Sequence, residues 1–174
     1  MQYINYYESP LGILTMASDG EALTGLWFVG QKYYAATLAS EYTEADLPIF
    51  AETKRWLDCY FAGQKPSFTP KLAPKGSEFR QQVWDILQTI PYGSTLTYGE
   101  IGAQIAKARG VAKMSAQAIG GAVGHNPISI IIPCHRVLGA NGSLTGYAGG
   151  IDRKLALLKI EKTSTTSKTS TIFP

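Results

Sequence analysis

Hydrophobic and polar residues alternate in short runs over the first 29 residues of the chain. Three such runs, QYINYY, ILTMAS and LTGLWFV, are separated by SPLG and DGEA. Alternation with a period of two, broken by turn-forming Pro, Gly and Asp, is typical of antiparallel strands joined by tight turns. The pattern therefore predicts a three-stranded antiparallel sheet at the start of the chain.

From about residue 47 onward the apolar positions recur at helical spacing. Capping residues Ser77, Thr97 and Ser115 precede three of these segments. The helix-stopping residues Gly63 and Pro91 follow the first and the second segment. TYGE, which starts at Thr97, has the pattern of a capping box. Helices are predicted over residues 47–62, 78–90, 97–108, 115–124 and 152–162.

A proline- and lysine-rich segment, GQKPSFTPKLAPKG, lacks periodicity and reads as a linker. It divides the chain into a domain over residues 1–74 and a second over residues 75–162. A low-complexity tail, residues 163–174, follows. In the second domain a short turn, 109–113, joins two helices, which is typical of a helix-turn-helix. The fold class is thus α+β, with a sheet and helix first and a mainly helical domain second.

Charge separates the two halves. Residues 1–74 carry five Lys and Arg against eight Asp and Glu, whereas residues 75–162 carry ten against five. The basic second half is therefore the candidate for binding a polyanion such as nucleic acid.

Composition narrows the function classes further. No stretch is apolar enough to span a bilayer, and the first residues lack the order of a signal peptide. Two cysteines cannot form a disulfide framework, which favours the cytoplasm. Cys59, Cys134, His125 and His135 show no metal-ligand spacing, so no metal is expected. We interpret Cys59, on the first helix among aromatic residues, as a buried structural thiol.

Two glycines interrupt the second helix of the helix-turn-helix, SAQAIGGAVG. Gly120 and Gly121 each cost roughly 0.5–1 kcal/mol relative to alanine inside a helix. Either the helix packs closely against another helix, or its backbone must approach a ligand. A helix with small side chains could enter a minor groove about 6 Å wide, with nearby Lys107, Arg109 and Lys113 on phosphates.

Cys134 and His135 stand side by side after an apolar run, in IIIPCHRVLG. A histidine can take the thiol proton directly or through water and so create a nucleophile. Such neighbours also occur by chance, and adjacent residues in regular structure do not face each other. Pro133 predicts a non-helical turn at this point, preceded by a strand. Asn141-Gly142 predicts a hairpin after it.

The segment IPCHRV, together with TYGEIG, GGAVGHNP and GYAGG, closely resembles the active-site motifs of the O6-alkylguanine-DNA alkyltransferases. These are also called methylated-DNA–protein-cysteine methyltransferases. The resemblance covers residues 77–162 with high specificity. The acidic first half resembles the family's variable N-terminal domain, which has a ribonuclease H-like fold, much less specifically.

The resemblance implies repair of DNA by direct reversal. Cys134 would take the alkyl group from O6 of a flipped-out guanine, with His135 as base through a water and Glu161 orienting it. Asn126 would brace the loop, and Tyr98 would protonate guanine N3. Whether O4 of thymine also reacts stays open. The thioether product is no leaving group, so each molecule would react once and need no cofactor.

The resemblance also implies a pocket and a DNA surface. The carbonyls of Cys134 and Val137 would accept from the guanine amine, Tyr147 and Gly149 would line the pocket, and the Ala148 N–H would reach O6. The DNA surface would comprise Ser115, Ala116, Gln117, Gly120, Gly121, Lys107, Arg109 and Lys113. The expected partner is duplex DNA containing O6-alkylguanine, bound from the minor groove by a monomer.

Two positions depart from the family pattern. Ala148 replaces a serine found in many relatives, which removes a side-chain contact but keeps the main-chain donor. Gln117 stands where many members insert an arginine into the base stack, and glutamine brings no charge.

Two other classes compete with this interpretation. A winged helix-turn-helix regulator would explain the basic half and leave Cys134 and His135 idle. A papain-like cysteine hydrolase would use the pair without needing a DNA-binding motif. The family's lesion-binding branch lacks the cysteine and is disfavoured by Cys134.

Overall fold

The computed structural model of the protein describes residues 1–163. Its contacts divide the chain into two compact units. The first contains residues 1–75 and 127–131, and the second contains residues 76–126 and the described residues from 132 onward. All but the first residue of the predicted tail lies outside the described residues.

The first unit is built on a four-stranded sheet. Its strands are β1 (Gln2–Ser9), β2 (Gly12–Ser18), β3 (Leu23–Phe28) and β4 (Tyr42–Glu44), in the order β3-β2-β1-β4. The three predicted antiparallel strands are confirmed, since β1 pairs with β2 and β2 with β3 in that sense. The fourth strand, β4, pairs in parallel with β1 and was not predicted.

Helix α1 (Pro48–Phe61) contacts β1 and β3 within this unit. Pro48 suits the first turn, where a missing N–H costs nothing, and Gly63 takes the left-handed φ of 82° just after the helix. Leu57 and Tyr60 are fully buried. Cys59 is only half-buried, and its thiol donates to the Gln64 carbonyl at 3.7 Å, so its assignment as a buried thiol is wrong. It lies beside the apolar stripe of the helix and not within it.

The segment 127–131 pairs with β3 of the first unit. The Leu26 N–H donates to the Pro127 carbonyl, and the Ser129 N–H donates to the Leu26 carbonyl, both at 2.8 Å. The strand predicted before Pro133, in the second domain, falls in this segment of the first unit. The pairing is only an isolated bridge, because Ile130 adopts a φ of 69° that ends extended backbone.

Four helices form most of the second unit: α2 (Glu78–Gln88), α3 (Tyr98–Arg109), α4 (Ala116–Gly124) and α5 (Ile151–Ile160). Their starts follow the predicted caps. The Ser77 and Ser115 side chains accept from the N–H groups three residues on, and Thr97 and Glu100 form the complete capping box. The predicted helix-turn-helix is α3 and α4, which contact each other and α2.

A short parallel pair, β5 (Leu96–Thr97) with β6 (Val137–Leu138), replaces the predicted hairpin arms. The turn itself forms, since Asn141 and Gly142 have φ values of 60° and 77° and the Gly139 N–H donates to the Ser143 carbonyl at 2.7 Å. Its flanks do not pair as strands in the described structure, because Val137–Leu138 hydrogen-bonds to β5 instead. Over residues 1–163, no helix combines the length and apolar character that crossing a membrane requires.

Candidate active site

Cys134 lies in a single turn of 3-10 helix, Cys134–Arg136. The Cys134 N–H donates to the Ile132 carbonyl (2.8 Å), and the Arg136 N–H donates to the Pro133 carbonyl (2.9 Å). The predicted non-helical turn is therefore wrong. A 3-10 helix has about three residues per turn, so side chains of neighbouring residues diverge by roughly 120°. Cys134 and His135 thus point in different directions.

The Cys134 thiol is buried, with the residue only 5% exposed. Burial raises its pKa, while a hydrogen bond from the Asn126 side chain and the charge of Lys154 lower the pKa. The Asn126 amide also donates to the Ile132 carbonyl at 2.7 Å, so it holds the backbone just before the cysteine. Burial has the larger effect, so the resting sulfur is a neutral thiol that needs a base to become a nucleophile.

His135 and Glu161 form a fully buried pair, with His135 Nε2 2.6 Å from Glu161 Oε2. Burial lowers the pKa of His135, and its bond to Glu161 offsets this only in part. The imidazole is therefore neutral at physiological pH. Because a carboxylate only accepts, Nε2 carries the proton and Nδ1 is the basic nitrogen.

Arg136 completes the cluster around Glu161. Its Nε and Nη2 donate to the two carboxylate oxygens at 2.8 and 3.1 Å, and Nη1 donates to the Ile90 carbonyl at 2.7 Å. Burial alone raises the pKa of Glu161, but His135 and Arg136 together outweigh it and lower the pKa to about 2. Glu161 stays ionised, so it can orient the imidazole at any physiological pH.

Tyr98, the first residue of α3, is half-buried and donates to the Thr145 carbonyl at 3.2 Å. Burial and the nearby Cys134 raise the pKa of Tyr98 to about 12. The phenol therefore keeps its proton at physiological pH and can act as a donor.

The predicted pocket residues lie on two segments of the second unit. Val137 is in β6, and its carbonyl accepts from Lys154 Nζ at 2.5 Å. Tyr147, Ala148 and Gly149 are half-buried in the turn before α5, which the Gly150 N–H closes by donating to the Tyr147 carbonyl at 2.9 Å.

The predicted DNA-binding residues cluster on α3, α4 and the turn between them. Ser115, Ala116 and Gln117 are exposed at the start of α4. Lys107 and Lys113 are also exposed, and both line a cleft of about 400 Å³ between the two helices.

Arg109 differs from the two lysines in its surroundings. Its Nε donates to the Gln82 side chain at 2.8 Å, and its guanidinium lies over the Phe79 ring at 5.2 Å. It therefore holds the end of α3 against α2.

The glycines of α4 are not explained by close packing. No atom beyond the helix's own backbone and chain neighbours comes within 4 Å of where a Cβ would lie at Gly120 or Gly121. The packing alternative is therefore wrong, and these positions form an open, smooth helix surface.

Sequence reasoning missed Lys154, which is fully buried among three carbonyl oxygens. It lies among the apolar positions Ile151, Leu155 and Leu158 of the last helix. Leu158 is buried, whereas Ile151 and Leu155 are half-buried. Lys154 lies three residues after Ile151 and four residues before Leu158, and residues at this spacing share one face of a helix. The spacing could therefore have identified Lys154 from the sequence as an inward-facing residue.

No group of three or more His, Cys, Asp or Glu side chains that could hold a metal occurs among residues 1–163. The second unit instead combines a helix-turn-helix with a buried thiol and a neutral histidine held by a carboxylate. These features define the class of DNA-binding proteins that carry a cysteine nucleophile.

The chain belongs to the 6-O-methylguanine DNA methyltransferase family. Residues 2–74 match the model of its ribonuclease-like domain, and residues 78–163 match the model of its DNA-binding domain. The resemblance drawn from the sequence motifs is thus confirmed, as is the α+β fold class.

Individual relatives agree with this assignment. The methylated-DNA–protein-cysteine methyltransferase of Mycolicibacterium paratuberculosis is 48% identical over 155 residues, covering 89% of each chain. That of Methanosarcina acetivorans is 45% identical over 159 residues, covering 91% of this chain and 97% of the relative. The crystal structure of Mycobacterium tuberculosis OGT in complex with DNA has a TM-score of 0.80 and 44% identity, covering 94% of this chain and 96% of that one.

Proposed function

We propose that this protein repairs alkylated DNA by direct reversal, moving the alkyl group from O6 of guanine to Cys134. The observation that carries the proposal is the buried thiol of Cys134 in the same 3-10 turn as His135, which is bonded to Glu161, in a chain that belongs to this methyltransferase family. The reaction is a single transfer per molecule, since a thioether is a poor leaving group.

His135 is the proposed base. Nε2–H is donated to Glu161, so Nδ1 receives the thiol proton through a bound water. The Cys134 sulfur then forms a bond to the alkyl carbon as the bond from that carbon to O6 breaks. The electron pair of the broken bond passes to the guanine.

Tyr98 is the proposed acid. Its phenol gives a proton to guanine N3 as negative charge develops on the leaving base, so the base departs neutral. The proton taken up by His135 later returns to the phenolate through solvent. In net terms the proton of the thiol ends on the guanine, and both catalytic groups are restored.

The proposed base pocket uses backbone atoms. The carbonyls of Cys134 and Val137 accept from the guanine amine, and the Ala148 N–H donates to O6, while Tyr147 and Gly149 form a wall. Both carbonyls already accept one bond, from the Val137 N–H and from Lys154 Nζ. A carbonyl oxygen has two lone pairs, so each can accept a second bond.

The proposed DNA contact is the exposed face of α4 in the minor groove of a duplex. Gly120 and Gly121 let the helix backbone approach, Ser115 and Ala116 lie at its start, and Gln117 fills the space that the flipped base leaves. Because the neighbouring Lys107 and Lys113 are exposed, they are the proposed phosphate contacts.

Arg109 would add to phosphate binding only through N–H groups that its bond to Gln82 does not occupy. The protein is proposed to bind as a monomer.

Intact-protein and peptide mass spectrometry tests the proposal. The protein is incubated with a duplex containing one O6-methylguanine, and Cys134→Ser serves as the matched control. We expect one methyl group per molecule, on the Cys134 peptide only, with half-buried Cys59 as an internal reference thiol. Binding without modification would identify a lesion binder or regulator, and many turnovers per molecule would contradict the single-transfer mechanism.

A further inference from the structure

Lys154 on α5 has a fully buried side chain. Its Nζ donates to the carbonyls of Val137 (2.5 Å), Gly146 (3.1 Å) and Thr145 (3.3 Å). Among residues 1–163, no carboxylate lies within ion-pair distance of Nζ. A buried cation without a counter-ion costs several kcal/mol, so the fold keeps this ammonium against a penalty.

The three carbonyls come from two separate segments. Val137 belongs to β6, directly after the turn that carries Cys134, and Thr145 and Gly146 lie just before Tyr147. One ammonium therefore fastens together the two backbone segments that flank the proposed base pocket. Tyr98 donates to the same Thr145 carbonyl, so the proposed acid is connected to this network as well.

Lys154 is linked to the Cys134 turn through Val137, whose carbonyl accepts from Nζ and whose N–H donates to the Cys134 carbonyl. Burial lowers the pKa of Lys154 to about 8, and negative charge at Cys134 opposes that fall. In the other direction, the charge of Lys154 lowers the pKa of Cys134. The charge also lowers the pKa of His135, whose own carboxylate partner, Glu161, is shared with Arg136.

We propose that Lys154 is a positioning residue that holds the pocket segments and supplies the counter-charge for the Cys134 thiolate. Without this cation, a thiolate formed in the buried site would lose the positive charge that now lowers the pKa of Cys134. With it, charge separation between Cys134 and His135 is less costly. Lys154 forms no covalent bond, and its proton stays on Nζ during transfer.

The proposal rests on Cys134 being the alkyl acceptor and is tested without requiring transfer. Lys154→Met keeps the aliphatic stem and removes the charge, and Lys154→Arg keeps a charge. Lys159→Met, on the exposed side of the same helix, is the matched control. The rate of iodoacetamide labelling of the Cys134 peptide is measured from pH 6 to 10.

We expect the midpoint of labelling in Lys154→Met to rise by about one pH unit, which is a tenfold smaller thiolate fraction. Lys154→Arg is expected to recover part of the shift and Lys159→Met to match the wild type. Identical labelling profiles for Lys154→Met and the wild type would overturn the proposal.

A second measurement decides the question even if Lys154→Met does not fold. The Lys154 side chain is titrated by NMR in the wild type and in Cys134→Ser, with the 13Cε resonance as readout. Because the coupling is reciprocal, loss of the thiolate is expected to lower the Lys154 midpoint. Equal midpoints would refute the counter-charge role. Absence of methyl transfer in the experiment above, with this coupling intact, would refute the repair function instead.

Discussion

Nε2 of His135 lies 2.6 Å from Oε2 of Glu161, and neither side chain is exposed to solvent. The same carboxylate also accepts from Arg136, so three ionisable groups share one buried network. Glu161 serves both the stability of the second unit and the orientation of the proposed base. The contribution of Glu161 to stability can be measured on its own, from the dependence of the unfolding free energy on pH.

Glu161→Gln is expected to change how stability depends on pH. The pKa of Glu161 is lowered from 4.5 to about 2, so the folded state binds this proton less tightly than the unfolded state. The stabilisation is therefore complete above pH 4.5 and is lost as the pH falls from 4.5 toward 2. It amounts to roughly 3 kcal/mol by linkage.

Urea denaturation at pH 7, 5, 4 and 3 measures this effect. The wild type should lose its advantage over Glu161→Gln across the acid range, whereas Asp85→Asn, at an exposed site on α2, should follow the wild type. A constant difference between wild type and Glu161→Gln from pH 7 to 3 would show that the charge of Glu161 is not what stabilises the fold.

Tyr98→Phe is expected to slow alkyl transfer while leaving the fold nearly intact. General acids contribute about a hundredfold or more to rate, whereas the lost hydrogen bond to the Thr145 carbonyl is worth about 1 kcal/mol. Single-turnover kinetics with an O6-methylguanine duplex measures the rate. Tyr92→Phe, which removes a phenol bonded to the Ile160 carbonyl at 3.4 Å, is the matched control. Equal rates in the two variants would remove Tyr98 from the mechanism.

Gln117→Arg is expected to tighten duplex binding and make it more sensitive to salt. Gln117 is exposed at the second position of α4, and one additional phosphate neutralised steepens the slope of log K against log salt by about 0.9. Gln104→Arg places the same charge on the exposed side of α3 as a control. An unchanged slope in Gln117→Arg, or equal slopes in both variants, would count against insertion of residue 117 into DNA.

Gly121→Ala is expected to stabilise the protein and weaken its binding to DNA. An added Cβ meets nothing within 4 Å, and alanine improves a helix interior by roughly 0.5–1 kcal/mol. The same methyl group would obstruct a close approach of the α4 backbone to DNA. Thermal unfolding and fluorescence anisotropy with a duplex measure the two effects. Higher stability with unchanged affinity would mean that DNA does not contact this surface.

Local signals in the sequence predicted the parts of the fold that local interactions determine. Ser77, Thr97 and Ser115 begin their helices as expected because a cap hydrogen-bonds within its own first turn. Strand β4 and the β5–β6 pair were missed because each pairs in parallel with a strand about forty residues away, and no local pattern specifies the partner.

The candidate site was predictable in its residue types and less so in its geometry. Cys134 and His135 were recognisable from the sequence as a candidate nucleophile and base. Their 3-10 turn was not, because it depends on a backbone that bends at Ile130 and Pro133. Lys154 was overlooked because lysine is ordinarily exposed, and only the surrounding carbonyls explain its burial.

The pairing of residues 127–131 with β3 has a consequence for dissecting the protein. A fragment that starts at residue 76 would retain this segment and lose the strand that satisfies the Pro127 carbonyl and the Ser129 N–H. The cut would thus leave unpaired backbone five residues before Cys134, although every residue of the proposed chemistry is still present. The N-terminal part therefore supplies the backbone partners of residues 127–131, and a fragment that begins at residue 76 is expected to be less stable than the whole chain.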